Sequence, residues 1–344
     1  MGEKIKIVIV GCGAISKGWF TAAVARPDAE IVGVVDLRRE AAEKRVEEFQ
    51  LKHAVVGTDL GQTLDKTRPD VLFNCTTPEA HAPTTLLAFD KGCHVLSEKP
   101  LADTMENARR MVAAAEKAGK LYAVMQNRRY MPDILRLRQF LQSGAIGPVT
   151  TIQSNFFIGA HFGGFRERMK HVLLLDMAIH TFDAARFLSG ADARTAYCHE
   201  WNPEGSWYDH DASAVAIFEM TGGLVYVYQG SWCSEGLATP WEAHWRVIGQ
   251  KGSAVWDGTG NIVTEAVTET GGMRSKVTSV LVPPFVQGSG KIGAHAGCIN
   301  DYLDCLKSGE APGTLASDNI KSLAMVHGAI RSADEQRKVR MDEL

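Results

Sequence analysis

A lysine, a histidine and two carboxylates mark the chemistry within reach of this chain. Glu98-Lys99-Pro100 follows an apolar run, His94-Val95-Leu96-Ser97, that reads as a strand. Lys99 is therefore expected just beyond a strand end, where an ammonium group can exchange a proton with a hydroxyl. The second group is Asp176, His180 and Asp183. On an α-helix, positions 176 and 180 share a face. A carboxylate there orients an imidazole, fixes its tautomer and lets it pass a proton to a substrate. The spacing of His180 and Asp183 also occurs in metal sites, but no further ligands accompany it and no metal is expected. Taken alone, Glu98 and Lys99 are equally what a surface turn before proline carries, and a helical histidine is commonly structural.

The elements that would position these groups begin at the N-terminus. Ile5-Lys6-Ile7-Val8-Ile9-Val10 is a β-branched run suited to a central parallel strand. It ends in Gly11-Cys12-Gly13-Ala14-Ile15-Ser16, and a helical pattern follows. This is a glycine turn with serine in the third glycine place. Gly11 allows the tight turn, Gly13 lets the backbone approach a pyrophosphate, and the N–H groups opening the helix at Ala14 and Ile15 face the anion. A second strand, Ile31–Val35, ends at Asp36, 23 residues beyond Gly13. A carboxylate there accepts the adenosine ribose hydroxyls and repels a 2′-phosphate, so NAD is favoured. Arg38 beside it keeps NADP open, since a guanidinium could hold that phosphate.

Strand signals at 55–56, 71–75, 93–96 and 121–125, with helices near 40–49, 79–90 and 105–118, continue the alternation of a doubly wound parallel sheet. Thr76-Thr77-Pro78 falls at a strand C-terminus, where open sheets bind ligands, and His81 follows one helix turn later. The same residues also read as a helix start, with Thr77 as cap and Pro78 in the first helical position. After Met125 the pattern changes. Asn127-Arg128-Arg129-Tyr130 opens a connector and a helix to about Leu141. Short strands follow at 149–157, 214–220, 224–229, 245–248, 254–256 and 277–282, and closing helices near 298–307 and 317–335. The expected fold is an α/β Rossmann domain over 1–126 and an α+β domain over 127–344 with a large, open, mainly antiparallel sheet.

The chain has 344 residues, a net charge of −3 and 45% hydrophobic residues. These values fit a soluble globular protein and give no reason to expect nucleic acid or a membrane as partner. No signal-peptide pattern opens the chain, and the seven cysteines lack CxxC spacing. A cytoplasmic location is expected.

Together, Gly11-Cys12-Gly13, Thr76-Thr77-Pro78, Glu98-Lys99-Pro100, Asn127-Arg128-Arg129-Tyr130 and Asp176…His180 resemble the glucose–fructose oxidoreductase / inositol dehydrogenase / rhizopine-catabolism (Gfo/Idh/MocA) family of NAD(P)-dependent oxidoreductases. The resemblance covers nearly the whole chain. It implies hydride transfer between nicotinamide and a hydroxyl-bearing carbon of a sugar or polyol. By analogy Lys99, Asp176 and His180 are the acid/base and orienting groups, and Glu98, Lys99 and Asn127 join the cofactor contacts. It also implies a homodimer or homotetramer formed through the open sheet. Two alternatives share these residues: an NAD-dependent glycosidase working by transient oxidation, and a non-catalytic NAD(H) sensor.

One stretch departs from the family pattern. Relatives commonly carry small residues before the aspartate, whereas this chain has Arg166, Arg168, Lys170 and His171. Such cations read either as recognition groups for an acidic sugar or as a solvated segment. Six of the seven tryptophans lie between 201 and 256. They suit a sugar face, a sheet core or a subunit interface equally. The interval Trp207-Tyr208-Asp209-His210-Asp211 is expected to be a substrate loop, with Trp207, Tyr208 and His210 as contacts.

Overall fold

Alternating strands and helices build a six-stranded parallel sheet in the computed structural model, which describes residues 3–285 and 291–344. The elements are β1 (Ile5–Val10), α1 (Ser16–Val24), β2 (Ala29–Val35), α2 (Arg39–Glu48), β3 (Val55–Gly57), α3 (Leu60–Thr67) and β4 (Val71–Asn74). Then come α4 (Pro78–Asp90), β5 (His94–Ser97), α5 (Met105–Ala118) and β6 (Tyr122–Val124). The strand order is β3-β2-β1-β4-β5-β6. The order reverses beside β1, and ligands bind open sheets at the C-terminal ends of strands around such a point. Ile7, Val8 and Ile9 are wholly buried, as a strand covered by helices on both faces requires. Helix α3 has no counterpart among the expected elements. It is only eight residues long, and Asp59 supplies the cap by accepting from Gln62 N.

The second sheet has nine strands. The elements are α6 (Pro132–Gln142), β7 (Val149–Phe157), a π-helical turn (Leu173–Ala178), α7 (Ile179–Ser189), β8 (Ala193–Trp201), β9 (Ser213–Met220) and β10 (Val225–Ser231). They continue as β11 (His244–Gly249), β12 (Gly252–Trp256), β13 (Ile262–Glu269), β14 (Lys276–Ser279), α8 (Ala294–Ser308), α9 (Ala316–Glu335) and β15 (Val339–Arg340). The order is β14-β13-β12-β11-β7-β10-β9-β8-β15, antiparallel throughout except for the β7–β10 pair. Gly222 and Gly223 (φ 73° and 79°) turn the β9–β10 hairpin. Side chains alternate across the sheet. Phe156, Phe218, Tyr226, Tyr228, Trp245 and Trp256 lie in one buried core with Phe182 of α7, while Tyr197, Ile217, Ile248 and Val263 are exposed. Trp232, Trp245 and Trp256 are thus core residues. Among the described residues, no helix is long and apolar enough to cross a membrane.

The chain divides into two compact units, Met1–Tyr130 with Gly288–Ile320, and Met131–Gln287 with Lys321–Leu344. The expected division lay at 126/127; by packing, the first unit also takes in Gly288–Ile320. Helix α8, expected in the second domain, packs in the first: Cys298, Ile299, Tyr302 and Leu303 share a buried cluster with Trp19, Phe20 and Tyr130. The apolar stripe of α8 is legible, but a stripe does not say which surface covers it.

Candidate active site

In the first unit, β1 runs into a turn at Gly11 with φ 89°. A Cβ on Gly11 would stand 2.5 Å from the Cys75 carbonyl oxygen, so only glycine fits. Gly13 is different: nothing lies within 4 Å of where its Cβ would be. It borders a cavity of about 390 Å³ lined by Cys12, Gly13, Ala14, Arg38, Glu40, Ala41, Lys44 and Arg45. Ile15 lies beside this lining, half exposed. The Asp36 carboxylate accepts from Cys12 N at 2.8 Å and Arg38 N at 2.9 Å. Two fixed N–H groups therefore aim it, while the Arg38 side chain remains 77% exposed. Arg45 is an addition that sequence reasoning misses. Its Nη2 donates to the Gly13 carbonyl at 2.8 Å, bracing the turn from α2. Burial, with the Asp36 charge, pushes the Cys12 thiol up to about 12, so the turn carries no thiolate.

At the ends of β4 and β5, Thr76 Oγ1 donates to Asn74 Oδ1 at 2.6 Å. Thr77 precedes α4 in an extended conformation, but its side chain makes no cap bond, so the expected capping by Thr77 does not occur. Pro78 does occupy the first helical turn. His81 is wholly buried, with Nδ1 2.9 Å from the Pro100 carbonyl and Nε2 3.2 Å from that of Thr76. Burial lowers its pKa, and a neutral ring donates to only one of these two carbonyls. In this setting His81 is scaffold, not an exposed cofactor contact.

Glu98 is a node. Its Oε1 accepts from Trp19 Nε1 of α1 at 2.7 Å, and its Oε2 accepts from Lys99 N at 3.0 Å. His295 Nε2, at the start of α8, lies 3.8 Å from the same carboxylate. Asn127 Nδ2 is 3.2 Å from His295 Nδ1, so Asn127 reaches the node through that ring. Burial alone would raise the Glu98 carboxyl; His295 and Trp19 outweigh it and hold the group below its ordinary value. The backbone of Lys99 is thereby pinned to an ionised carboxylate. His295 and Trp19 give no local signal of this role, because neither lies near Glu98 in the chain.

In the second unit, Asp176 lies in the π-helical turn and His180 in the first turn of α7. The pair therefore straddles a change of helical pitch, not a uniform α-helix as expected. Arg166 Nε donates to Asp176 Oδ2 at 3.0 Å. Asp183 is buried and accepts from Ser322 Oγ at 2.7 Å, a packing role. His171 faces Glu200, with Nδ1 2.6 Å from Oε2. Arg168 and Lys170 are exposed. Trp207 stacks on His161 at 3.7 Å between ring centroids, Tyr208 is buried with its hydroxyl donating to the Ala160 carbonyl, and His210 is half-buried. Among the described residues, no cluster of histidine, cysteine, aspartate or glutamate could hold a metal ion.

Two family models match the chain: "Oxidoreductase family, NAD-binding Rossmann fold" over residues 5–126 and "GFO/IDH/MocA C-terminal domain" over residues 134–255. The chain belongs to the Gfo/Idh/MocA oxidoreductase family. It is 26% identical to D-apiose dehydrogenase of Paraburkholderia graminis over 353 residues, 99% of this chain and 91% of that one. It is 32% identical to D-glucoside 3-dehydrogenase of Escherichia coli over 209 residues, 59% of each chain. An oxidoreductase from Agrobacterium radiobacter, solved with NAD+, L-tartaric acid and magnesium, shares the fold with a TM-score of 0.86 at 21% identity, covering 99% of both chains. As a member of this family the protein is an NAD-binding oxidoreductase. The site residues fit that cofactor. The open side of Gly13, the cavity beside it and the aimed Asp36 carboxylate are what a dinucleotide's pyrophosphate and ribose require.

Proposed function

We propose that this Gfo/Idh/MocA member is a dehydrogenase of a neutral sugar or polyol, with Lys99, Asp176 and His180 handling the proton of the reacting hydroxyl. The observation that carries the reading is the Glu98 node, which fixes Lys99 N at the end of β5 in the NAD-binding unit. The named activities of the relatives, D-apiose dehydrogenase and D-glucoside 3-dehydrogenase, support the substrate class. Bound NAD supplies a hydride acceptor. The ammonium of Lys99 holds the hydroxyl oxygen and offsets negative charge developing on it. His180 takes the proton, and Asp176 orients the hydroxyl or the imidazole.

A neutral substrate is favoured over an acidic one because Arg166 is already bonded to Asp176. Arg168 and Lys170 remain available to an acid, so matched acidic and neutral sugars belong in the test. Gly11, Gly13, Ala14, Ile15, Asp36, Thr76, Thr77 and Pro78 are proposed to hold NAD, with Arg38 and Lys44 the groups that would admit NADP. Trp207, Tyr208 and His210 are proposed to border the sugar. The exposed Tyr197, Ile217, Ile248 and Val263 support association of copies through the open sheet. The free state of all seven cysteines supports a cytoplasmic setting.

The experiment is a panel of sugars, polyols and glycosides incubated with NAD+ or NADP+, followed by NADH-band absorbance and product identity. Net NADH formation with a neutral sugar is the expected result. Release of an aglycone without net NADH would replace the dehydrogenase reading with a redox-neutral glycosidase. Cofactor binding with no turnover of any compound would leave a sensor.

A further inference from the structure

We propose that His171 and Glu200 form a clamp that positions Asp176, a role that rests on the dehydrogenase reading of Asp176. His171 has a left-handed backbone, φ 52°. Residues with a Cβ seldom hold that conformation unless their surroundings enforce it. Glu200 on β8 holds the ring in that setting: its side chain is only 2% exposed and its Oε2 lies 2.6 Å from His171 Nδ1. The other oxygen, Oε1, is buried with no hydrogen-bond partner among the described residues. His171 is therefore the group that satisfies a carboxylate taken out of water.

The clamp acts on the helix start. The His171 carbonyl accepts from Leu175 N at 3.0 Å, so its backbone closes the first turn leading to Asp176. It leads into the π-helical segment Leu173–Ala178, a wide form frequent at functional sites. Tying His171 to β8 fixes how the turn is rotated, and with it the direction of the Asp176 carboxylate. Arg166 holds that carboxylate from the preceding segment.

Proton occupancy sets the strength of the clamp. The titratable groups facing the imidazole are Glu200 on β8, Asp211 in the β8–β9 loop and Asp334 on α9, all acidic. The Glu200 bond raises the imidazole above its ordinary value against the pull of burial. Burial pushes Glu200 up and His171 pulls it down. The imidazole rises because the 2.6 Å bond to Glu200 acts on it directly. The clamp is thus complete where Glu200, itself raised by burial, is ionised and the imidazole is protonated, and it slackens as pH rises through the raised imidazole pKa.

The test compares wild type, His171→Asn, Glu200→Gln and Asp176→Asn as full chains. Asparagine tolerates the left-handed backbone without reaching Glu200. Amide exchange over residues 172–180, corrected for intrinsic rates, is expected to be about fivefold faster in His171→Asn and Glu200→Gln at pH 7. With D-glucose and myo-inositol as probes, kcat is expected to fall about tenfold at nearly constant KM in both. In wild type, exchange protection should decline as the His171 ring signal titrates in NMR, and His171→Asn should abolish that decline. Unchanged exchange in both variants overturns the clamp, as does faster exchange with a lowered Tm and wild-type kcat. Loss of activity in Asp176→Asn beside unaltered His171→Asn overturns the clamp alone. Wild-type kcat in Asp176→Asn overturns the reading of Asp176 and the clamp with it. If wild type turns over neither sugar, the exchange and NMR results decide.

Discussion

Arg166 donates a hydrogen bond from Nε to Asp176 Oδ2 at 3.0 Å. Its guanidinium also lies 5.1 and 5.0 Å from the ring centroids of Phe162 and Phe165. Arg166 is thus part of the proposed acid/base pair's own surroundings. A guanidinium bonded to a carboxylate and flanked by aromatic rings has little freedom to meet a second anion.

Arg166→Ala should therefore impair acidic and neutral sugars alike. The expected outcome is a fall in kcat/KM of about tenfold for both, since an aiming contact to Asp176 is lost. A selective rise in KM for a uronic acid, with the neutral sugar untouched, would restore the acidic-substrate reading.

Lys99→Ala and His180→Ala should each lose turnover by about 10²–10⁴-fold, the usual contribution of a positioned acid/base group. NAD affinity, read by quenching of tryptophan fluorescence, should stay close to wild type. Near-normal kcat in both would remove them from the mechanism.

Gly11→Ala tests the glycine turn. The new Cβ would face the Cys75 carbonyl at 2.5 Å on a backbone with φ 89°. Strain of this kind costs about 1–3 kcal/mol. Denaturant unfolding should show that loss, and titration with NAD should show weaker binding. A Gly13→Ala protein should keep its stability, because no atom lies within 4 Å of that Cβ, while its NAD affinity falls. Equal stability losses at both positions would contradict the geometry.

The Glu98 node makes a pH prediction. Its carboxyl is held below the ordinary value of 4.5. A depressed carboxyl contributes stability above its unfolded-state pKa and loses it as pH falls through the folded-state value. Glu98→Gln should therefore be less stable than wild type at pH 7, and the gap should narrow as the pH falls below the ordinary value of 4.5 and through the lowered folded-state value. Unfolding free energies measured from pH 7 to pH 3 check this. A gap that stays constant would mean that Glu98 acts by packing alone.

Much of the fold is legible in the amino-acid sequence. The helix Met105–Ala118 and the strands Ile5–Val10 and Val149–Phe157 lie where apolar periodicity and turn residues put them. Strands β8 and β13 are not legible in the same way. In β8, Arg194, Thr195, Tyr197, His199 and Glu200 weaken the apolar alternation, and the inward residues Ala196 and Cys198 are small. Without β8, Glu200 has no place beside His171, and His171 reads as a substrate contact.

By itself the sequence determined the order of elements, the glycine turn with Asp36 at the end of the next strand, and the residue types available for proton transfer. These are local properties: periodicity, turn chemistry and spacing act over a few residues. Only the tertiary structure decided the partners. Trp19 and Glu98 are 79 residues apart in the chain, and Asn127 and His295 are 168 apart. The return of α8 to the first unit, the seating of Arg166 on Asp176 and that of His171 on Glu200 are of the same kind. A periodic pattern reports that a face will be buried, and a charged residue reports that it needs a partner. Which face and which partner depend on packing the whole chain at once.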